Sequence, residues 1–247
     1  AGEVAAVRDL NIGFFQHRAA PFPNSQNIIP YRAGIAELFP LRAAAASGII
    51  HPQSFLCCVK GDRCMTVTFI AHSAFLVEWD KFYTLFDYTW EPDYTAPLPE
   101  IGPEKPLLVF ASHSHEDHFD PKIFSLLERY PSARFFVSRD TRLTERRRRW
   151  LNISDEAFAR TTVLRPDSIL LTEAAGEELS VRAIKSTDIG NAYLLRAEGK
   201  MVYHGGDLNW WHWESEGQSY CSDMADHYRG AVEKLASAVR DEAADNG

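Results

Sequence analysis

The chain has 247 residues, is 45% hydrophobic and 24% charged, and carries a formal net charge of −8. This is the composition of an ordinary globular protein, with length for one large domain or two small ones. The acidic balance gives no general attraction to nucleic acid or anionic membrane, and no apolar run is long enough to span a bilayer.

Residues 1–64 are broken by Pro21, Pro23, Pro30, Pro40 and Pro52 and show neither helical nor strand periodicity. They read as an N-terminal extension, foreign to the native domain or else a lid or dimerisation arm, in front of a domain spanning 65–247. No basic start followed by an apolar stretch marks a secretory signal. Cys57, Cys58 and Cys64 cluster while Cys221 stands apart. That is a poor disulfide framework, and a metal knuckle there lacks its fourth ligand, so free thiols in a reducing cytoplasm are expected.

From Met65 the character changes. Strands are predicted at 66–70, 73–79 and 82–86, then at 107–110. Pro121 opens a helix to about Arg129, followed by a strand at 134–137 and a helix over 141–151. Ser154 caps a short helix to Arg160. Strands follow near 168–172, 178–185, 192–197 and 200–204. A last helix runs from a Ser222 cap to about Val239, with apolar positions on one face. The pattern is α/β with much antiparallel pairing (α+β in that sense) rather than a doubly wound sheet. Arg146–Arg149 stand on the predicted 141–151 helix, where successive residues point in different directions, and read as a solvated face.

The sharpest signal is Ala111-Ser112-His113-Ser114-His115-Glu116-Asp117-His118-Phe119, between the apolar strand 107–110 and the Pro121 helix. Of nine histidines, three fall within six positions beside Asp117, which chance does not readily supply. Imidazole and carboxylate together suit Zn²⁺ and related first-row ions. On a regular strand His113, His115 and Asp117 would share a face and His118 the other, so the segment can serve two neighbouring ions.

The segment resembles the HxHxDH motif of the metallo-β-lactamase superfamily, in the branch near the ascorbate-phosphate lactonases and other metallohydrolases of that fold. Phe69 to Glu78 is similar to the opening hairpin of that branch, Leu85-Phe86-Asp87 to its aspartate-bearing strand, and Val202 to Asn209 to the strand and turn that deliver a bridging aspartate. The resemblance covers about residues 65–215 and implies an αββα sandwich. It implies that His113 and His115 bind one metal, Asp117 and His118 a second, and that Asp207 bridges them, with His72, Asp87 and His204 as supports behind the ligands.

Two departures stand out. Where the family usually supplies another histidine, this chain has Lys185-Ser186-Thr187-Asp188-Ile189-Gly190, so Asp188 is either a substitute oxygen ligand or a turn residue. The family's final histidine has no counterpart before Gly247, so either the second metal lacks that ligand or the fold is incomplete in its C-terminal half. After Asp207, the tract Asn209-Trp210-Trp211-His212-Trp213-Glu214 reads either as an aromatic wall contacting substrate, through Trp211 and His212, or as loop packing.

The resulting expectation is a hydrolase with one or two Zn²⁺ ions, Mn or Fe being alternatives. It would use metal-bound hydroxide, with Asp117 as the catalytic acid–base group, on a small ester, lactone, amide or phosphodiester. A nuclease of the same fold is the first alternative, which the acidic charge opposes. A weakly metal-binding, non-catalytic protein is the second. The expected partner is a small-molecule substrate, with neither nucleic acid nor membrane; oligomeric state is left open.

Overall fold

The computed structural model describes residues 64–90, 98–102, 104–213 and 215–244, together with the backbone of two earlier strands, 12–15 and 54–58. Among the described residues, twelve strands form two sheets. They are β1 (Ile12–Phe15), β2 (Ser54–Cys58), β3 (Cys64–Ala71), β4 (Ala74–Glu78), β5 (Tyr83–Phe86), β6 (Leu107–Ala111), β7 (Arg134–Ser138), β8 (Thr161–Leu164), β9 (Ser168–Ala174), β10 (Glu177–Lys185), β11 (Asn191–Ala197) and β12 (Lys200–His204). One sheet has the order β1-β12-β11-β10-β9, the other β2-β3-β4-β5-β6-β7-β8.

Strand β6 shows why the sheets stack. All five of its residues are buried, and they alternate between two cores. Leu107, Val109 and Ala111 face a core shared with Ile123, Phe124, Ile153 and Ala157 on the helical side. Leu108 and Phe110 face a second core, shared with Leu179, Val181, Tyr193 and Val202 of the opposite sheet. A continuous apolar strand is what burial on both faces requires. Phe86, Phe110 and Phe136 stack across β5, β6 and β7 at 5.2 and 4.7 Å in this inter-sheet layer. A third core sets Leu194, Met201 and Tyr203 against Ala231, Ala238 and Val239 of the last helix. The layers are therefore helix, sheet, sheet, helix: the αββα sandwich that the resemblance implies.

The predicted strands from 66 onward are all present. Three helical expectations need correction. The Pro121 helix divides into a 3₁₀ turn, Pro121–Ser125, and α1 (Leu126–Arg129). The helix expected over 141–151 is α2 (Glu145–Trp150), because Thr144, not Thr141, is the cap: its side chain accepts from Arg147 N. The last helix, α4 (Gln218–Ala244), starts a turn before Ser222, which lies inside it. The short helix α3 (Asp155–Ala159) has the Ser154 cap as expected. β8 has no counterpart in the sequence reading, and neither do β1 and β2. Apart from those two strands, the expectation for residues 1–64 lies outside the described residues, as do the side chains of Cys57, Cys58 and Cys64. Cys221 is a free thiol. Among the described residues no helix is long and apolar enough to cross a membrane.

The topology fixes where chemistry can occur. β5, β6, β7 and β8 run parallel, so their C-terminal ends share one edge. β12 lies antiparallel to β11, with His204 opposite Tyr193, so its C-terminal end meets the β10–β11 turn. Tyr193 joins the two sheets at that edge by donating its hydroxyl to Ala111 O at 2.9 Å.

Candidate metal centre

Three loops converge at this edge: the segment after β6, the turn 186–190, and the loop after β12. Ser112 and two glycines set how closely they approach. Asn191 N–H donates to Ser112 O at 2.9 Å. Gly190 has φ +73, and a Cβ there would sit 2.3 Å from Ser112 O and 2.5 Å from His113 Cβ. Gly206 has φ +50 and would place a Cβ 2.8 Å from the Ser112 side chain. Both positions need a left-handed backbone and no side chain. Gly190→Ala is expected to cost about 3 kcal/mol from strain and clash together, lowering Tm by roughly 6–12 °C in a thermal melt. A change under 2 °C would contradict this packing.

Asp87, fully buried at φ +44, is the hub. Its Oδ1 accepts from Ser112 N–H at 2.7 Å. Its Oδ2 accepts from the Ser112 hydroxyl at 2.7 Å, His118 Nδ1 at 2.8 Å and His204 Nε2 at 2.7 Å. Burial alone would raise its pKa. The charges of His204 and then His118, with their hydrogen bonds, overcome that and hold the carboxyl well below the usual range.

These bonds fix the imidazoles. Ser112 spends its one hydroxyl proton on Asp87, so His113 Nδ1–H donates to Ser112 Oγ at 2.9 Å and Nε2 keeps its lone pair. Burial, then the neighbouring His118, lower the pKa of His113 and favour that neutral ring. His118 is likewise held through Nδ1, and its Nε2 points to Asp207 Oδ1 at 3.1 Å and Asp117 Oδ2 at 3.6 Å. Burial opposes its charge, but Asp87 and then Asp207 raise its pKa to about 10.

His113 Nε2 meets His115 Nδ1 at 3.0 Å and Asp207 Oδ2 at 3.6 Å. Asp188 Oδ2 is 3.8 Å from His115 Nδ1. One donor atom each from His113, His115, Asp188 and Asp207 lie within 4.8 Å of one another. Two imidazole nitrogens and two carboxylate oxygens so arranged suit a divalent first-row ion. The two oxygens of Asp207 face His113 and His118 separately. The structure thus gathers His113, His115, Asp117, His118, Asp188 and Asp207, with Asp87 and His204 behind them.

His118 has to release its proton before Nε2 can serve as a ligand. Its pKa lies above neutral, so metal affinity is expected to climb about tenfold per pH unit between pH 7 and 9 if one proton is displaced. Isothermal titration in buffers of different ionisation enthalpy would detect that proton; its absence would contradict the assignment.

The other expected residues are placed differently. His72 is at the tight β3–β4 turn with φ +42. His212 is exposed and its N–H donates to Trp210 O at 2.8 Å. Trp211 is partly buried and stacks on Trp213 at 6.3 Å. Sequence reasoning missed Ser112 and Thr187, although both directly precede recognised positions. It also missed Asp140, whose carboxylate accepts from Ser114 N–H at 2.7 Å and steadies the motif from β7's far end. Within the arginine run, Arg148 is committed to Glu145, Asp155 and Ile153 O.

A family model described as a beta-lactamase superfamily domain matches residues 66–219. A search of curated proteins returns no match. Among solved structures, the chain is similar to a protein of Parabacteroides distasonis ATCC 8503 assigned as a metal-dependent hydrolase, at 18% identity, covering 62% of this chain and 65% of that one, TM-score 0.43. It is similar to Igni18, a metallo hydrolase of Ignicoccus hospitalis KIN4/I, at 20% identity, covering 57% of this chain and 60% of that one, TM-score 0.37. In both, the match spans less than two thirds of the other protein's length.

Proposed function

Because the chain belongs to the beta-lactamase superfamily, with its metal-dependent fold, we propose that it is a hydrolase whose centre is built from the residues gathered at that sheet edge. The observation that carries this is the four-atom cluster of His113, His115, Asp188 and Asp207. These four would hold one ion; Asp117, His118 and the second oxygen of Asp207 would hold another. Zn²⁺ is the ion proposed, with Mn²⁺ or Fe²⁺ as alternatives because carboxylate oxygens make up half the first set. Bound there, a divalent cation supplies a Lewis acid that acidifies water and polarises a carbonyl or phosphoryl oxygen.

The protein groups do the rest. Asp87 and Ser112 keep His113 and His118 in the tautomers whose Nε2 atoms face inward. Asp117, with its side chain 44% exposed, stands at the mouth, where it can orient a water molecule and take up its proton. Asp207, only 14% exposed, spans both sets and fixes their separation. The substrate class is a small ester, lactone, amide or phosphodiester.

The protein purified without chelator and dialysed against Zn²⁺ or Mn²⁺ is expected to hold one to two equivalents of metal by elemental analysis, and to hydrolyse a member of such a panel. His115→Ala is expected to lose at least about a hundredfold in kcat/KM, since its ring is one of only two nitrogens in the first set. Metal content below a tenth of an equivalent, with no response to added ion, would sink the reading.

A further inference from the structure

The net charge of −8 is unevenly spread along the chain. Residues 139–167, from the end of β7 through α2 and α3 to just past β8, contain eight arginines, no lysine and five acids. All five acids are already engaged. Asp140 accepts from Ser114 N–H, Glu145 and Asp155 both pair with Arg148, Glu156 pairs with Arg160, and Asp167 pairs with Lys234. Arg139, Arg142, Arg146, Arg149 and Arg165 are exposed, and among the described residues none of them meets a carboxylate.

The fold gathers these arginines. Ser138 lies opposite Leu164 in the parallel β7–β8 pair, so Arg139 and Arg165 leave neighbouring strand ends. Arg142 N–H donates to Arg139 O at 3.0 Å, which holds that turn closed. On α2, Arg149 and Trp150 stand three and four residues beyond Arg146, so the three share one outward face, while Arg148 turns in to Asp155 of α3. Trp150 is 78% exposed, the barest large apolar side chain among the described residues.

Charge and ring together select the partner. Guanidinium forks match phosphate oxygens, and five of them here lack a counter-charge. An acidic peptide would satisfy the arginines and leave the indole in water. A duplex would bring phosphates but keep its bases stacked inside. A single strand brings both a row of phosphates and an unstacked base for the indole face. The acidic remainder of the chain does not cancel this attraction, because salt screens charges over about 8 Å at physiological ionic strength and the local excess governs contact.

We propose that this face binds a single-stranded nucleic acid, with its phosphates on the arginines and a base stacked on Trp150. Asp140 ties the face to the metal-binding segment through Ser114, so a bound strand lies on the same sheet edge as the centre. The proposal goes beyond the hydrolase reading and does not rest on it.

The test is fluorescence anisotropy of a labelled oligothymidylate of about twelve nucleotides with the metal-loaded full chain, between about 50 and 200 mM KCl. Binding with Kd of roughly 10⁻⁴ M or tighter is expected, with log Kd rising against log salt at a slope of about 2 to 3.5, since roughly three to five phosphates each contribute about 0.7. Replacing both Arg146→Gln and Arg149→Gln should lower that slope by about 1.4. Trp150→Ala should weaken binding roughly 5- to 100-fold, and Trp150→Phe should recover most of the loss. All these side chains are exposed, so metal content and Tm should stay those of the parent. An abasic strand of equal length bound as tightly, or displacement by poly-glutamate at equal charge, would show that charge alone is read and would overturn the nucleic-acid assignment. Binding indifferent to Trp150 or to the arginine pair, or no binding at the lowest salt, would overturn this face as the site.

Discussion

Asp207→Ala is expected to strip bound divalent metal from the chain while leaving it folded. Both oxygens of Asp207 are engaged, one 3.6 Å from His113 Nε2 and the other 3.1 Å from His118 Nε2. No other carboxylate described here faces both rings, so its loss removes an oxygen from each set at once. It also removes a negative charge at a site where only 14% of the side chain is exposed. Loss of one partner from a buried charged set costs about 3–5 kcal/mol, which corresponds to a fall in metal affinity of roughly 10²- to 10⁴-fold. Stability of the metal-free protein should change far less, because Asp207 is not the group that ties the sheets together; that role belongs to Asp87, Ser112 and Tyr193. Elemental analysis after dialysis and a thermal melt of the metal-free form separate the two effects. An Asp207→Ala protein that kept its metal would remove the basis for a shared centre.

Why was so much of that centre visible in sequence, and some of it not? His113, His115, Asp117 and His118 lie in one short segment, so adjacency along the chain stood in for adjacency in space. Asp207 and Asp87 were located through the resemblance, each just after an apolar strand; the parallel pairing of β5 with β6 brings Asp87 to the 112–118 segment, and Asp207 arrives from the other sheet at the end of β12. Asp188 was left between ligand and turn residue because nothing local distinguishes them. The structure puts it in the turn and in the cluster: Gly190 closes the turn against Ser112, and Asp188 Oδ2 lies 3.8 Å from His115 Nδ1. Ser112 was passed over because its importance comes from contacts 25 residues away in sequence, with Asp87. His72 carries no local signal that separates a turn histidine from a support; it sits at the β3–β4 turn with φ +42. The helix boundaries slipped for a different reason. Thr141, Thr144 and Ser222 are all acceptable caps in isolation, and α4 already begins at Gln218, with Ser222 exposed inside it.

Asp87→Asn gives the most discriminating test of how the centre is held. An amide keeps the shape and tolerates the left-handed backbone at φ +44, as Asn commonly does. It cannot keep the hydrogen bonds. With Oδ1 still accepting from Ser112 N–H, the NH₂ group would face the Ser112 hydroxyl, His118 Nδ1 and His204 Nε2, where Oδ2 now accepts from all three. Donor would meet donor unless His118 moved its proton from Nδ1 to Nε2, and a protonated Nε2 has no lone pair for a cation. The variant is therefore expected to fold, with Tm lowered by several degrees, yet to lose roughly 10- to 100-fold in affinity for the ion that His118 serves. Nitrogen–proton correlation spectra of the histidine rings, recorded with metal added, should show His118 protonated on Nδ1 only in the parent and on Nε2 in the variant. Asp87→Ala, which leaves four donors buried without their acceptor, should cost more stability, about 3–5 kcal/mol. If Asp87→Asn bound both ions as tightly as the parent, the tautomer of His118 would have to be set by something other than Asp87, and the hydrogen bonds at this edge would be packing rather than control.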